Sequence, residues 1–283
     1  FTIPDDYPSW KQNMTTLIRL LIIVLTFSIL TACATSPTGR KQLMLVSEES
    51  SIVSSKQAYL STVKELDNAG KLQDDWVINK RIDVITGQLI TEAIKMRPET
   101  ANWEWSVVVI DDPEMVNAWC MAGGRMAIYT GLIKKLDPTD DELAQVMAHE
   151  IAHALAKHTA EKMSMQVATS VGVAVVGVAS DNTGVALTGA ALAAMLAVNL
   201  PNSRAAEKEA DRIGIELAAK AGFDPAAAAT LWKKMAAASK SGTPQFLSTH
   251  PEPENRQQEL ARLEPEMRKY YFPYAEHPIY PLD

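Results

Sequence analysis

Apolar residues recur at helical spacing along most of the chain, and this pattern predicts a mainly helical fold. In the segment 74–96, for example, isoleucine and leucine side chains return every three or four residues. Thr139, followed three residues later by Glu142, is the signature of a capped helix start. The predicted helices span residues 47–66, 74–96, 139–163, 203–220, 224–239 and 253–263.

Two segments follow a β pattern instead. Residues 103–110 are rich in β-branched and aromatic side chains, and residues 118–129 form a second β-prone stretch around Gly123 and Gly124. We therefore expect one small sheet that contains a hairpin. With the helices, it predicts an α+β, mainly helical fold.

The segment 163–203 is rich in glycine, alanine, serine and threonine, and Asp181 is its only charged residue. This composition predicts two weakly apolar helices interrupted at 181–184. Two roles stay open for them. They either pack over the helix at 139–163 or form a mobile lid or surface that meets lipid or unfolded substrate.

The N-terminal region contains an uncharged segment at 20–32 that is followed by Cys33. Its 13 residues are fewer than the roughly 20 that span a membrane but suit the apolar part of a signal peptide. The ending resembles a bacterial lipobox, whose cysteine is acylated after cleavage; a short membrane anchor is the alternative. By resemblance to sorting rules, Ala34 favours the outer membrane. We predict a signal peptide with an upstream extension at 1–32, a lipidated cysteine and tether at 33–46, and a folded domain at 47–283.

Composition narrows the function classes. The chain carries 34 acidic and 27 basic side chains, a formal charge of −7, which argues against binding to nucleic acid. Only two cysteines are present, so neither a disulfide scaffold nor a four-cysteine metal site is available. We expect Cys120 to be buried as a small hydrophobe rather than redox-active.

The strongest chemical signal is the pattern His149-Glu150-Ile151-Ala152-His153 within the capped helix. Residues i and i+4 of a helix share one face, so both imidazoles can bind one metal ion while Glu150 stays free as a general base. Catalytic zinc needs a third protein ligand and an open fourth position. The metzincin extension is excluded, because Ala156 and Thr159 stand where it requires glycine and histidine.

A carboxylate further along the chain is the remaining source of the third ligand. In the helix 203–220, Glu207 and Asp211 fall on the apolar side, where an unpaired carboxylate would be costly. We expect Glu207 to be the third ligand and Asp211 to orient a ligand imidazole. The alternative is a local ion pair with Arg204 or Arg212. The polar face of this helix is predicted to carry Glu209, Arg212, Glu216 and Lys220.

The spacing of these motifs resembles a zinc metallopeptidase family, namely the family that contains the CAAX prenyl endopeptidases, HtpX, the mitochondrial Oma protease, LoiP and BepA. The resemblance rests on HExxH, on Glu207-Lys208-Glu209-Ala210-Asp211, and on the strings TGRKQLMLVSEE, NAWCMAGGRMAIYTGLI and STHP. It covers roughly residues 36–262 and is similar to the soluble lipoprotein branch. It implies a gluzincin-type domain with one Zn²⁺ on His149, His153 and Glu207, and with Glu150 as the catalytic carboxylate.

The resemblance also bears on His250, since it implies that this histidine can take the fourth position on zinc and leave the enzyme latent. A substrate-binding or oxyanion-stabilising role and a purely structural role stay open for it. Arg256, His250 or a tyrosine could stabilise the oxyanion. His158 lies off the ligand face of the predicted helix, and His277 lies in an irregular tail, so neither is expected to bind the metal.

These expectations combine into a periplasm-facing zinc endopeptidase, lipid-anchored through Cys33 to the outer membrane of a Gram-negative bacterium. Its substrates would be misfolded or misassembled envelope proteins, and outer-membrane assembly components are candidate partners. A strand within 118–129 is expected to receive substrate along its edge. The alternatives are a chaperone-like binder of unfolded envelope proteins with a latent metal site, and a structural lipoprotein with an incidental one.

Overall fold

The computed structural model describes residues 33–179, 185–238, 245–250 and 255–282. Within these ranges, residues 33, 171–179, 185–202 and 249 are described by their backbone alone. The predicted signal peptide at 1–32 and the predicted interruption at 181–184 lie outside the described residues. Whether the segment 163–203 acts as a lid or as packing stays a prediction.

Helices make up most of the described residues, as the apolar pattern predicts, and strands are few. The strands are β1 (Cys33–Thr35), β2 (Lys41–Leu43), β3 (Ser106–Ile110), β4 (Ala118–Met121) and β5 (Arg125–Tyr129). The helices are α1 (Glu48–Asn68), α2 (Trp76–Met96), α3 (Thr130–Leu136), α4 (Asp140–Leu155), α5 (His158–Ala179), α6 (Val185–Lys220), α7 (Ala227–Ala238), α8 (Gln245–Thr249) and α9 (Arg256–Met267), with short 3₁₀ turns at Pro98–Asn102 and Arg268–Tyr270. The predicted fold class, α+β and mainly helical, is confirmed.

The sheet holds β5 between two neighbours. β3 runs parallel to β5, with Val108 opposite Ala127, and β4 runs antiparallel to it, with Cys120 opposite Met126. The expected hairpin therefore joins β4 to β5. Its turn needs glycine, because Gly124 has a φ of 82° and a side chain there would overlap the ring of Trp105.

The helix that carries the HExxH pattern, α4, lies at the centre of the fold. It packs against α2, α6, α7 and β4, and its residues Leu143, Met147 and Ile151 are fully buried. The capping box at its start is present. Glu142 N–H donates to the Thr139 hydroxyl over 3.2 Å, and Thr139 N–H donates to the Glu142 carboxylate over 2.9 Å. A rigid central helix holds the pattern in place.

The C-terminal end of α4 differs from the prediction of one helix running to residue 163. Lys157 adopts the left-handed conformation, with φ 60°, and the chain then starts the separate helix α5 at His158. The Arg97 guanidinium donates to the carbonyl of Leu155 over 3.0 Å, which satisfies one of the free carbonyls at the end of α4. Because of this break, His158 no longer continues the direction of α4, and its ring lies beside His153.

Residues 34–46, expected to be a tether, also differ from the prediction. β1 and β2 pair antiparallel with Ala34 opposite Gln42, and Gln42 is buried, with its amide donating to the carbonyl of Ala156 over 2.8 Å. This N-terminal hairpin thus packs on the junction between α4 and α5. None of the helices in the described ranges combines the length and apolar character that a membrane-crossing segment needs.

Candidate metal centre

Two imidazoles face each other across one turn of α4. The Nε2 atoms of His149 and His153 lie 3.1 Å apart, and both rings are largely shielded from solvent. Their spacing of four residues on a helix produces this arrangement directly. The structure thus brings together the two residues that the HExxH pattern predicts as ligands.

Glu207 reaches the same point from α6. Its carboxylate oxygens lie 3.3 Å from His149 Nε2 and 3.5 Å from His153 Nε2, and the side chain is buried. The close approach of the two helices depends on Gly214, since a Cβ there would lie 3.0 Å from the backbone N and Cα of His149. Helices α4 and α6 therefore meet at the imidazole pair, although Glu207 follows His153 by 54 residues in the sequence.

His250, which follows α8, closes the cluster. Its Nδ1 lies 3.4 Å from His149 Nε2 and 3.2 Å from Glu207 Oε2, and its ring stacks on Phe246. One ligand atom from each of His149, His153, Glu207 and His250 lies within 4.8 Å of the other three, so these groups could hold one metal ion. His250 thus joins the three predicted ligands at the same point.

The charges of the cluster are uneven. Burial and the Arg256 charge lower the pKa of His149, but hydrogen bonds with Asp211 and Glu207 outweigh them and raise it to about 9. Burial, followed by the neighbouring His149, holds the pKa of His153 well below its usual value. Burial raises the pKa of Glu207, but hydrogen bonds with His149 and His250 outweigh it and hold that pKa far below the usual range. Without a bound metal ion, the negative charge of Glu207 and the positive charge of the His149 imidazolium therefore offset each other.

Asp211 supports His149 from behind, as the sequence predicts. Its Oδ1 lies 3.1 Å from His149 Nδ1 and 2.5 Å from Arg256 Nη2. Arg256 is buried, stacks over Trp232, and places Nη1 3.4 Å from Glu207 Oε2. The arginine thus holds both carboxylates of the apolar side of α6, which neither Arg204 nor Arg212 does in the described contacts.

Glu150 lies beside the cluster rather than in it. The side chain is buried, and its Oε1 makes no hydrogen bond with any described residue, although His250 Nε2 lies 3.3 Å away. Burial raises the pKa of Glu150, and this effect is partly offset by the nearby histidines and by the backbone of Cys120. An unsatisfied buried carboxylate oxygen is costly, so its position is consistent with a role in chemistry.

Two groups behind His153 were missed by sequence reasoning. Glu209 was predicted on the polar face of its helix, and this prediction is wrong, because Glu209 is 4% exposed. His158 is not in the ligand cluster, as expected, but its Nδ1 lies 2.8 Å from His153 Nδ1 and its Nε2 lies 3.1 Å from Glu209 Oε2. Burial of Glu209 depends on the N-terminal hairpin, which covers a face that the helical pattern marks as polar.

Cys120 and His277 are not members of the cluster that could hold a metal ion. Cys120 is a free thiol with 9% exposure, and burial raises its pKa well above the usual value, in keeping with the expected small hydrophobe. His277 lies in the C-terminal tail, 2.9 Å from the carbonyl of Phe272, and takes no part in the cluster.

Comparison with known proteins identifies the family of this site. The protein-family model described as Peptidase family M48 matches residues 79–264 of the sequence, which contain the HExxH pattern, Glu207 and His250. The chain belongs to this peptidase family. Membership confirms the predicted gluzincin-type fold and a metalloendopeptidase domain.

Named relatives match over a larger part of the chain. The mitochondrial metalloendopeptidase OMA1 of Bos taurus is 32% identical over 263 residues, 88% of this chain and 49% of the relative. The mitochondrial metalloendopeptidase OMA1 of Arabidopsis thaliana is 33% identical over 214 residues, 71% of this chain and 42% of the relative. The beta-barrel assembly-enhancing protease of Escherichia coli K12 is 30% identical over 203 residues, 69% of this chain and 40% of the relative. The chain thus spans half or less of the length of these relatives.

Proposed function

We propose that this M48 chain is a zinc-dependent endopeptidase that hydrolyses peptide bonds of misfolded or misassembled envelope proteins. The observation that carries the proposal is the spacing of its donor atoms. Donors about 2.0–2.1 Å from a tetrahedral zinc lie about 3.3–3.4 Å from one another. The separations among the Nε2 atoms of His149 and His153 and the Glu207 carboxylate are 3.1, 3.3 and 3.5 Å, which fits this geometry.

The donor set also has the composition of a catalytic site. Two imidazoles and one carboxylate are the protein ligands of zinc peptidases, and one Zn²⁺ per chain, held by His149, His153 and Glu207, leaves a fourth position. When bound there, zinc lowers the pKa of water toward about 7 and polarises a carbonyl group. Asp211 keeps His149 oriented by accepting from its Nδ1, and Arg256 holds Asp211 in place.

Glu150 supplies the proton transfer. Its Oε1 has no hydrogen-bond donor among the described residues, so it is free to take a proton from the attacking water and to pass it to the departing amine. Burial raises its pKa, which makes the protonated form easier to reach during the reaction. For Arg256, the contacts favour a role in holding Asp211 and Glu207 over the predicted role in stabilising the oxyanion.

The sheet supports recognition of extended chains. In the described part of the protein, β4 pairs with β5 alone and is therefore an edge strand. The backbone of Cys120 in β4 lies close enough to Glu150 to lower the pKa of that carboxyl, so this edge lies next to the proposed general base. A substrate that pairs with β4 would gain main-chain hydrogen bonds with little demand on its side chains, which suits unfolded proteins.

The place of action is inferred from the sequence and the relatives. A relative named beta-barrel assembly-enhancing protease supports an envelope location and outer-membrane assembly components as partners. The lipobox-like Cys33 supports a lipid anchor in the outer membrane that faces the periplasm. The charge of −7 argues against nucleic acid as a partner.

The Glu150→Gln variant tests the activity. Its side chain keeps the shape but not the basicity, so cleavage of unfolded casein by the zinc-loaded protein should fall by about 10²–10⁴-fold. Glu114→Gln, at an exposed position, should keep wild-type activity as the matched control. Cleavage that persists in Glu150→Gln contradicts the mechanism. Casein that is bound but is cleaved neither by the zinc-loaded wild type nor by zinc-loaded His250→Ala, the variant that removes the proposed latency, would favour the chaperone-like alternative.

His250 is proposed to take the fourth position on zinc and to keep the enzyme latent. Its Nδ1 lies 3.4 and 3.2 Å from donors of His149 and Glu207, the same spacing as among the other ligands. His250→Ala should then raise casein cleavage, because the fourth position becomes open. Unchanged or lower activity would instead favour a substrate-binding or oxyanion role.

A further inference from the structure

A row of buried polar groups runs from His153 away from the cluster to the N-terminal hairpin. His153 Nδ1 lies 2.8 Å from His158 Nδ1, and His158 Nε2 lies 3.1 Å from Glu209 Oε2. His158 and Glu209 are 7% and 4% exposed. Buried polar groups that meet at hydrogen-bond distance fix one another's orientation, so this row constrains the ring of His153.

The direction of these hydrogen bonds follows from the role of His153. Its Nε2 faces His149 and Glu207 and must be unprotonated to bind a metal, so the proton of the neutral ring sits on Nδ1. That N–H donates to His158 Nδ1. The proton of His158 then sits on Nε2 and donates to Glu209, so the row ends on a carboxylate.

Glu209 is in turn held by the N-terminal hairpin. Arg40 Nε donates to Glu209 Oε2 over 2.8 Å, and the hydroxyls of Ser36 and Thr38 donate to its other oxygen. The remaining nitrogens of Arg40 form a fork with Glu161, at 2.6 Å each. Both carboxylates are almost fully buried, and a bidentate guanidinium fixes their separation as well as their charge.

We propose that the segment 36–42 is a positioning element of the metal centre, which orients His153 through Glu209 and His158. The proposal rests on the proposed metal site and deepens it. The hairpin begins at Cys33, whose backbone pairs with Leu43. The proposed anchor and a ligand of the metal centre would therefore be connected through one short element, and displacement of that element would disorder His153.

The test measures metal binding rather than cleavage. Zinc affinity of the full chain is determined by competition with a chromophoric chelator, and the visible spectrum of the Co²⁺-loaded protein reports ligand geometry. Glu209→Gln should weaken zinc binding by about 10–100-fold and change the Co²⁺ spectrum, because groups behind a ligand histidine contribute at this level. Glu216→Gln makes the same chemical change on the same helix, where Glu216 pairs only with Lys220 in the described contacts, and should leave both readouts unchanged.

Arg40 offers a milder variant in case Glu209→Gln fails to fold. Arg40→Lys keeps the charge but cannot contact Glu209 and Glu161 with the same fork, so zinc binding should weaken several-fold. A second Arg40 variant, Arg40→Gln, removes the charge as well. Its effect on zinc affinity and that of Glu209→Gln should be non-additive, since Arg40 acts on His153 through Glu209. Wild-type affinity and spectrum in folded Glu209→Gln, or in Arg40→Lys where that variant alone folds, overturn the proposal. If the wild type and His250→Ala both bind zinc and neither cleaves casein, the proposed activity alone is rejected.

Discussion

The two proposed ligand histidines of α4 are one helical turn apart, yet their environments differ. Behind His149, the carboxylate of Asp211 lies 3.1 Å from Nδ1 and is paired with the buried Arg256. Behind His153, the first neighbour is another imidazole, His158, and the carboxylate of Glu209 lies one group further away. His149 therefore contacts its carboxylate directly, and His153 contacts its carboxylate through a second imidazole.

This difference in environment affects the protonation of His149 and the ring orientation of His153. The direct contact with Asp211 contributes to the pKa of about 9 for His149, while burial and its charged neighbour keep the pKa of His153 well below the usual value. Near pH 7, a metal ion must therefore displace one proton from His149 and none from His153. The surroundings of His149 set the pH dependence of binding, and those of His153 set ring geometry.

Removing the direct carboxylate should have the largest effect. Asp211→Asn removes the negative charge that faces His149 Nδ1 at 3.1 Å and the buried Arg256 at 2.5 Å. Zinc affinity should fall about 10–100-fold, and the free energy of unfolding should fall by about 3 kcal/mol, because breaking a buried pair leaves a charge without its partner. Chelator competition and urea unfolding measure the two quantities. Asp67→Asn, on the exposed surface of α1, is the control, and equal values for the two variants would contradict this role of Asp211.

The pH dependence of zinc binding sharpens the comparison. His149 is protonated below its pKa of about 9, so apparent affinity should rise about tenfold per pH unit up to that pH and level off above it. Titration calorimetry near pH 7 in two buffers of different ionisation enthalpy should report about one proton released per zinc bound. Asp211→Asn lowers the pKa of His149 and should reduce that number. Heats that do not depend on the buffer would show that His149 is already neutral.

Local sequence signals predict the surroundings of His149 well. The capping box at Thr139 and the HExxH spacing determine α4 and its two imidazoles. The helical phase of residues 207–220 places Glu207 and Asp211 on the apolar side of α6, and in the structure Glu207 is buried and the side chain of Asp211 is 11% exposed. Each of these inferences needs only contacts within one helix or the cost of a buried charge.

The groups behind His153 could not be predicted in the same way. His158 was set aside because i+5 on a continuous helix points away from the ligand face, but the left-handed Lys157 ends that helix. Glu209 follows the polar phase of its helix, and its burial comes from a hairpin about 170 residues earlier in the chain. A helical pattern contains no information on such a long-range contact, although the string TGRKQ marks the segment that makes it.

The approach of α6 to α4 affects both ligands, and Gly214 controls it. A methyl group there would lie 3.0 Å from two backbone atoms of His149, so Gly214→Ala should push the helices apart and move Glu207 away from the imidazoles. Alanine alone would stabilise a helix by about 1 kcal/mol, whereas overpacking costs about 1–3 kcal/mol. We expect a lower melting temperature and weaker zinc binding. A more stable variant with wild-type affinity would show that the contact relaxes at no cost.

The smallest effect is expected on the outer face of α6. Arg212, once an alternative partner for Glu207 and Asp211, pairs instead with Glu266, at 2.5 Å, and both side chains are more than 40% exposed. Exposed ion pairs contribute about 0–1 kcal/mol, so Arg212→Ala should change the free energy of unfolding by no more than about 0.5 kcal/mol and leave zinc affinity and proton release unchanged. Urea unfolding and calorimetry under the conditions used for Asp211→Asn provide the comparison. A loss of zinc affinity in Arg212→Ala would mean that this arginine, and not Arg256, balances the carboxylates of the metal centre.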